Sequence, residues 1–116
     1  MKSILTEYTI LSAFSARPME CTHHLIFGKG LRELADRDGL TLPLCHDEHN
    51  ICRDGDATRL IHGNVAAEKL SKMLGQEAWE ANYIAEILAD IKDATPDQIR
   101  DEARGAFRRR YGISYL

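Results

Sequence analysis

The chain has 116 residues, 44% of them hydrophobic and 28% charged, and a formal net charge of −3. That length holds one domain with a modest core. The acidic balance excludes a generally basic nucleic-acid-binding surface, so any phosphate contact has to come from a local patch. No apolar run approaches membrane-span length, and the opening Met1-Lys2-Ser3-Ile4-Leu5-Thr6-Glu7 lacks the apolar stretch of a signal peptide. The expectation is a cytoplasmic protein with no membrane partner.

In chain order, residues 8–11 and 25–27 are short apolar or β-branched runs bounded by polar and glycine signals, and they predict the strands of a small hairpin. Gly28-Lys29-Gly30 reads as a turn, because it lacks the strand-to-helix context and lysine of a phosphate-binding loop. Residues 31–35 predict one helical turn, stopped by Asp38-Gly39. Residues 40–44 form a second apolar run, and 46–50 start a helix interrupted near Asp54-Gly55-Asp56. A short helical piece follows at 57–62. Asn64 can cap a helix running through Leu74, with Ala67, Leu70 and Leu74 on one face and Gly75 near its end. Trp79, Tyr83, Ile84, Ile87, Leu88 and Ile91 predict a further helix. Thr95-Pro96-Asp97-Gln98 is a capping box with proline in the first turn, and it opens a last helix that carries Ile99, Ala103 and Phe107 and ends near Tyr111-Gly112. The fold class is therefore α+β, a single domain over 1–116 with an irregular half of about residues 1–63 and a helical half of about 64–116.

All five histidines and all three cysteines fall between Cys21 and His62. Imidazole and thiolate bind zinc-like ions, and histidine is the usual general base near neutral pH. In a cytosolic chain such cysteines read as ligands or free thiols, not disulfides. On a strand, His23 and His24 point to opposite faces. One can then bind a metal while the other faces a substrate. A metal held by His23, His49 and His62 uses neutral imidazoles and leaves positions open for water and a phosphate oxygen. His24 is then free to deprotonate the attacking water. Cys21, His24, Cys45 and His49 form an alternative structural-zinc set, and His46 reads as a solvent-facing bystander. Lys29 and Arg32, and Arg108 and Arg109 in the last helix, are the candidate DNA contacts. The arginines also suit a helix C-terminus.

Cys21-Thr22-His23-His24-Leu25-Ile26-Phe27-Gly28, followed by Leu42-Pro43-Leu44-Cys45-His46-Asp47-Glu48-His49-Asn50 and Ile61-His62, resembles HNH endonucleases. More narrowly, it resembles the small phage and prophage members of that ββα-metal, or His-Me finger, group. The ending Phe107-Arg108-Arg109-Arg110-Tyr111-Gly112-Ile113-Ser114-Tyr115-Leu116 is similar to tails of that subgroup. The resemblance implies a β-hairpin and helix clasping one divalent metal ion (Mg, Mn, Ni or Zn) and hydrolysis of DNA phosphodiester bonds. Carried over by position, it implies His24 as general base, His23 and His49 as metal ligands, and His62 as a further ligand or catalytic phosphate contact.

Two departures from the family pattern stand out. Many relatives carry a zinc knuckle of two Cys-x-x-Cys pairs, which here read Ser12-Ala13-Phe14-Ser15 and Cys45-His46-Asp47-Glu48. With three of the four thiolates missing, packing and hydrogen bonds are expected in place of that zinc. The central Asn of the family name is also replaced, by Gly39 or Leu40, with Asn50 and Asn64 the candidates for its task. These losses support a rival expectation, a non-catalytic, metal-stabilised nucleic-acid or protein adaptor derived from such a nuclease. The Trp79, Tyr83, Ile87 stripe reads as core or subunit interface, so a homodimer through the C-terminal helices joins DNA among the candidate partners.

Overall fold

Strand β1, Cys21–His24, pairs antiparallel with β2, Thr41–Leu44, placing His23 opposite Leu42 and His24 opposite Thr41. This is seen in a computed structural model that describes residues 1–52 and 54–116. Helix α1, Leu31–Arg37, lies in the connection between the strands, and α2, His46–His49, follows β2 directly. Two 3₁₀ turns, Ala57–Arg59 and Ile61–Gly63, lead into α3, Val65–Ile87, and α4, Pro96–Tyr111. The architecture is α+β. Among the described residues no helix is long and apolar enough to cross a membrane.

Three local expectations need correction. Residues 8–11 do not form the first strand; Leu11 makes a single bridge to Pro18. The chain reverses there because the Ser12 amide donates to the Arg17 carbonyl at 2.7 Å and the Ala16 amide to the Ser12 carbonyl at 2.9 Å. The strand expected at 25–27 lies earlier, at Cys21–His24, and Leu25 adds only one ladder bond, donating to the Leu40 carbonyl at 2.9 Å. The two helices expected on either side of Gly75 are one. No proline interrupts residues 64–95, and Gly75 is a packing residue. A Cβ there would meet Ile26 Cγ1 at 3.0 Å and Leu25 Cβ at 3.1 Å, so its missing side chain lets α3 press against the end of β1.

This close approach decides which face of α3 is buried. Ser71, Gly75, Gln76 and Glu80 face inward, while Leu70 and Leu74 are 56% and 57% exposed and line an open groove with Phe14, Leu42 and Leu60. The core itself gathers Leu25, Ile26, Ala35, Leu40, Phe107 and Tyr111. Trp79 meets Phe107 edge-on, with ring centroids 5.5 Å apart. Asp38, at the end of α1, ties the two halves together. It accepts from Trp79 Nε1 at 3.0 Å, from Tyr111 Oη at 2.7 Å and from the Arg110 guanidinium through two bonds of 2.6 Å. The expected caps are present: Asn64 Oδ1 accepts from the Ala67 amide, and Thr95 and Gln98 exchange capping-box bonds of 3.1 and 2.8 Å.

Candidate metal centre

The sheet, α2 and the second 3₁₀ turn each deliver one imidazole to a common point. His23 comes from β1, His49 from the last position of α2 and His62 from the turn Ile61–Gly63. One ring nitrogen of each lies within 4.8 Å of the others. Local chemistry sets the approach. The Cys45 amide donates to Glu48 Oε1 at 2.8 Å, closing the first turn of α2 and fixing where His49 projects. A Cβ on Gly63 would collide with the Ala57 carbonyl, so glycine lets the two 3₁₀ turns fold onto each other and present His62.

The hydrogen bonds constrain the tautomers. Ser71 Oγ donates its single proton to the Leu25 carbonyl at 2.8 Å, so its contact with His23 Nε2, also 2.8 Å, has the imidazole as donor. That leaves the His23 Nδ1 lone pair, which is buried and has no partner. His62 Nδ1 faces Glu68 Oε2 at 3.0 Å, and an ionised carboxylate only accepts, so the lone pair of His62 is on Nε2. Cys21 Sγ lies 3.6 Å from the Leu44 carbonyl and 3.5 Å from His49 Nδ1; with the thiol proton on the carbonyl, His49 Nδ1 is the donor in that contact. The His49 lone pair is then also on Nε2, 3.0 Å from His62 Nε2. Two lone pairs at that distance repel unless a cation lies between them; with no cation, a thiol proton turned to His49 Nδ1 leaves His49 Nε2–H to donate to His62 Nε2.

Burial adds to the same bias. His23 is 1% exposed. Desolvation first, then the neighbouring His49, His62 and His24, hold its pKa down to about 3. Burial, followed by His62 and His46, pushes His49 down to about 4. Both rings are therefore neutral near pH 7, the form that ligates metal.

A divalent ion fits this set. Ligand nitrogens about 2.0–2.1 Å from a zinc-like ion sit about 3.3 Å apart at a tetrahedral angle and about 2.9 Å apart at a right angle. The 3.0 Å separation of His49 and His62 falls within that range. The unpartnered Nδ1 of His23 is the kind of buried polar atom that a bond to a metal would satisfy. Ser71 and Glu68 hold the outer nitrogens of His23 and His62 as second-shell partners do. Imidazole donors favour later transition ions over Mg, which prefers oxygen.

The other predicted residues lie elsewhere. His24, on the opposite strand face from His23, bonds Asp36 Oδ1 through Nε2 at 3.1 Å and lines an open cleft with Arg32, Glu33 and Arg37. Its charge is still felt at His23 and His49. The alternative zinc set does not converge. Cys21 meets His49, but His24 turns to Asp36 and Cys45 Sγ donates to the Pro18 carbonyl at 3.4 Å. His46 is half-buried, not solvent-facing, and its Nδ1 is enclosed without a partner. Among the described residues a second group, Glu20, Cys45 and Asp47, also comes within 4.8 Å. There Glu20 receives the His46 amide and Asp47 pairs with Arg17.

The four knuckle positions surround one thiol, Cys45, too few to hold zinc. Ser12 Oγ donates to Glu48 Oε1 at 2.6 Å and accepts from the Phe14 and Ser15 amides at 3.1 and 3.3 Å. The Ser15 hydroxyl accepts from the Arg17 amide at 3.4 Å and from Arg17 Nε at 3.2 Å. Burial alone would raise the Glu48 carboxyl, but the bonds from Ser12 and the Cys45 amide outweigh it and leave it lowered.

Neither candidate for the missing Asn reaches the β1–β2 connection. Asn64 caps α3 and Asn50 ends α2. The Gly39 carbonyl instead accepts from the Ile4 amide at 2.9 Å, so the N-terminal segment braces that loop. Lys29 and Arg32 are exposed next to the site in sequence, and the Arg32 charge is felt at His49. On α4, Arg108 is exposed and Arg109 pairs with Glu102 at 3.2 Å. Sequence reasoning missed Ser71, Glu68 and Asp36. Ser71 and Glu68 carry one legible signal, their i, i+3 spacing on a helix that begins just after His62. No family model, curated protein or solved structure matches this chain.

Proposed function

We propose that this chain is a metal-dependent endonuclease of the HNH type that hydrolyses DNA phosphodiester bonds. The observation that carries the reading is the convergence of three imidazoles, one ring nitrogen of each within 4.8 Å of the others, beside a fourth histidine on the opposite face of the same strand. His23 Nδ1, His49 Nε2 and His62 Nε2 would hold one divalent ion. When bound, the ion supplies charge neutralisation at the phosphate and at the leaving oxygen. His24 takes the proton of the attacking water, whose oxygen then bonds phosphorus as the P–O bond to the leaving oxygen breaks; that oxygen is protonated from solvent. Arg32, beside His24 in an open cleft, and exposed Lys29 supply positive charge toward the DNA backbone. Arg108 and Arg109 stand as further backbone contacts.

The test is nicking of supercoiled plasmid by metal-stripped protein with Mg, Mn, Ni or Zn added separately, wild type against His24→Ala. Metal-dependent nicking that the variant loses is the expected result. Folded wild-type protein that fails to nick the plasmid with any of the four metals contradicts the reading. That outcome would favour the adaptor, for which the absence of the central Asn argues. In an adaptor, chelation lowers the melting temperature strongly, whereas a catalytic ion is lost mainly at the expense of activity.

A further inference from the structure

We infer that Asp36 is the positioning residue for His24, an inference that rests on reading His24 as the base. His24 ends β1, and Arg32 and Asp36, four residues apart on α1, face the same cleft of about 330 Å³. Of the cleft's charged groups, Asp36 makes the hydrogen bond to the imidazole, Oδ1 to Nε2 at 3.1 Å. A carboxylate accepts, so the ring is held as its Nε2–H tautomer and Nδ1 becomes the nitrogen that takes the water's proton. Without that bond the imidazole is free to exchange tautomers and rotate, and only part of the population presents a lone pair to water.

The pair does not look built for stability. The Asp36 side chain is 60% exposed and that of His24 19%. An exposed ion pair adds little to folding. Its consequence is directional: it fixes one ring in one orientation. It also addresses a gap in the sequence, since the base-bearing loop lacks the expected Asn and neither Asn50 nor Asn64 reaches it.

Two readouts on the full chain test this. In metal-stripped protein, long-range proton–nitrogen NMR should find His24 of the wild type in the Nε2–H form and a tautomer mixture in Asp36→Ala. In plasmid nicking with the metal that supports it, Asp36→Ala should lower kcat about 10- to 100-fold with KM and metal content unchanged, and Asp36→Glu should recover part of the loss. In a His24→Ala background, adding Asp36→Ala should cost nothing further. Three results would overturn the inference: a tautomer unaffected by Asp36→Ala, a kcat loss accompanied by lost metal, or additive effects in the double variant. If wild-type protein does not nick DNA, the endonuclease reading fails, and the tautomer measurement alone decides whether Asp36 holds His24.

Discussion

Two polar clusters flank the short helix α2, and they solve the same problem in opposite ways. On one side Ser12, Ser15, Cys45 and Glu48 meet in a closed network in which hydroxyl and amide donors reach the Glu48 carboxylate. On the other, His23 and His62 bond Ser71 and Glu68 through their outer nitrogens, while His49 and His62 bring their Nε2 atoms to 3.0 Å. The first arrangement is complete without an ion. The second leaves the buried His23 Nδ1 without a partner until a cation or a proton reaches it. The lesson is that residue type alone does not mark a metal site; proton bookkeeping around each atom does.

The largest expected difference between the clusters is in metal binding. His49→Ala should reduce the affinity for Zn or Ni by more than the roughly 10- to 100-fold typical of second-shell changes, as read by calorimetry, and abolish nicking. Glu48→Gln, one residue away, should leave that affinity unchanged. A loss of metal in Glu48→Gln would break the distinction.

Next come Ser71→Ala and Glu68→Gln, which free the outer nitrogens of His23 and His62. Each should weaken metal binding about 10- to 100-fold while the helical circular-dichroism signal is retained. Equal affinity to wild type would show that these bonds do not orient the ligands.

A smaller effect belongs to the closed cluster. Ser12→Ala removes a buried donor to Glu48 and should cost about 1–3 kcal/mol in urea unfolding, equally with and without chelator. A chelator-dependent loss would tie this cluster to a metal.

The smallest effect is a separation in pH. In metal-stripped protein the folded pKa values of His23 and His49 are depressed to about 3 and about 4. The unfolded chain therefore takes up protons that the folded chain excludes, and stability falls as pH drops below about 6.5. Glu48 is lowered as well, so its contribution is present above the ordinary carboxyl range and is lost only as pH falls through its depressed value. Denaturation midpoints of wild type and His49→Ala between pH 7 and 4 should converge toward acid; parallel curves would contradict the sign.

Much of this was legible in the chain. The α4 capping box and the grouping of His23, His49 and His62 follow from residue order and local signals. The first strand and the division of α3 were not, for identifiable reasons. Gly75 reads as a stop in sequence but serves as a contact with Leu25 and Ile26, a tertiary effect that overrides propensity. Residues 8–11 have strand composition, but the hydrogen bonds around Ser12 turn the chain before a ladder forms. Asp36 and Ser71 lie 12 and 48 residues from the histidines they bond, and spacing says nothing at that range.

The most direct measurement is a titration of metal-stripped protein with Zn and Ni, wild type against His62→Ala, whose side chain is 28% exposed and which should fold normally. One equivalent bound by wild type and a large loss of affinity in the variant is the predicted result. Binding that is absent in wild type, or unaffected by His62→Ala, would contradict a three-histidine metal centre.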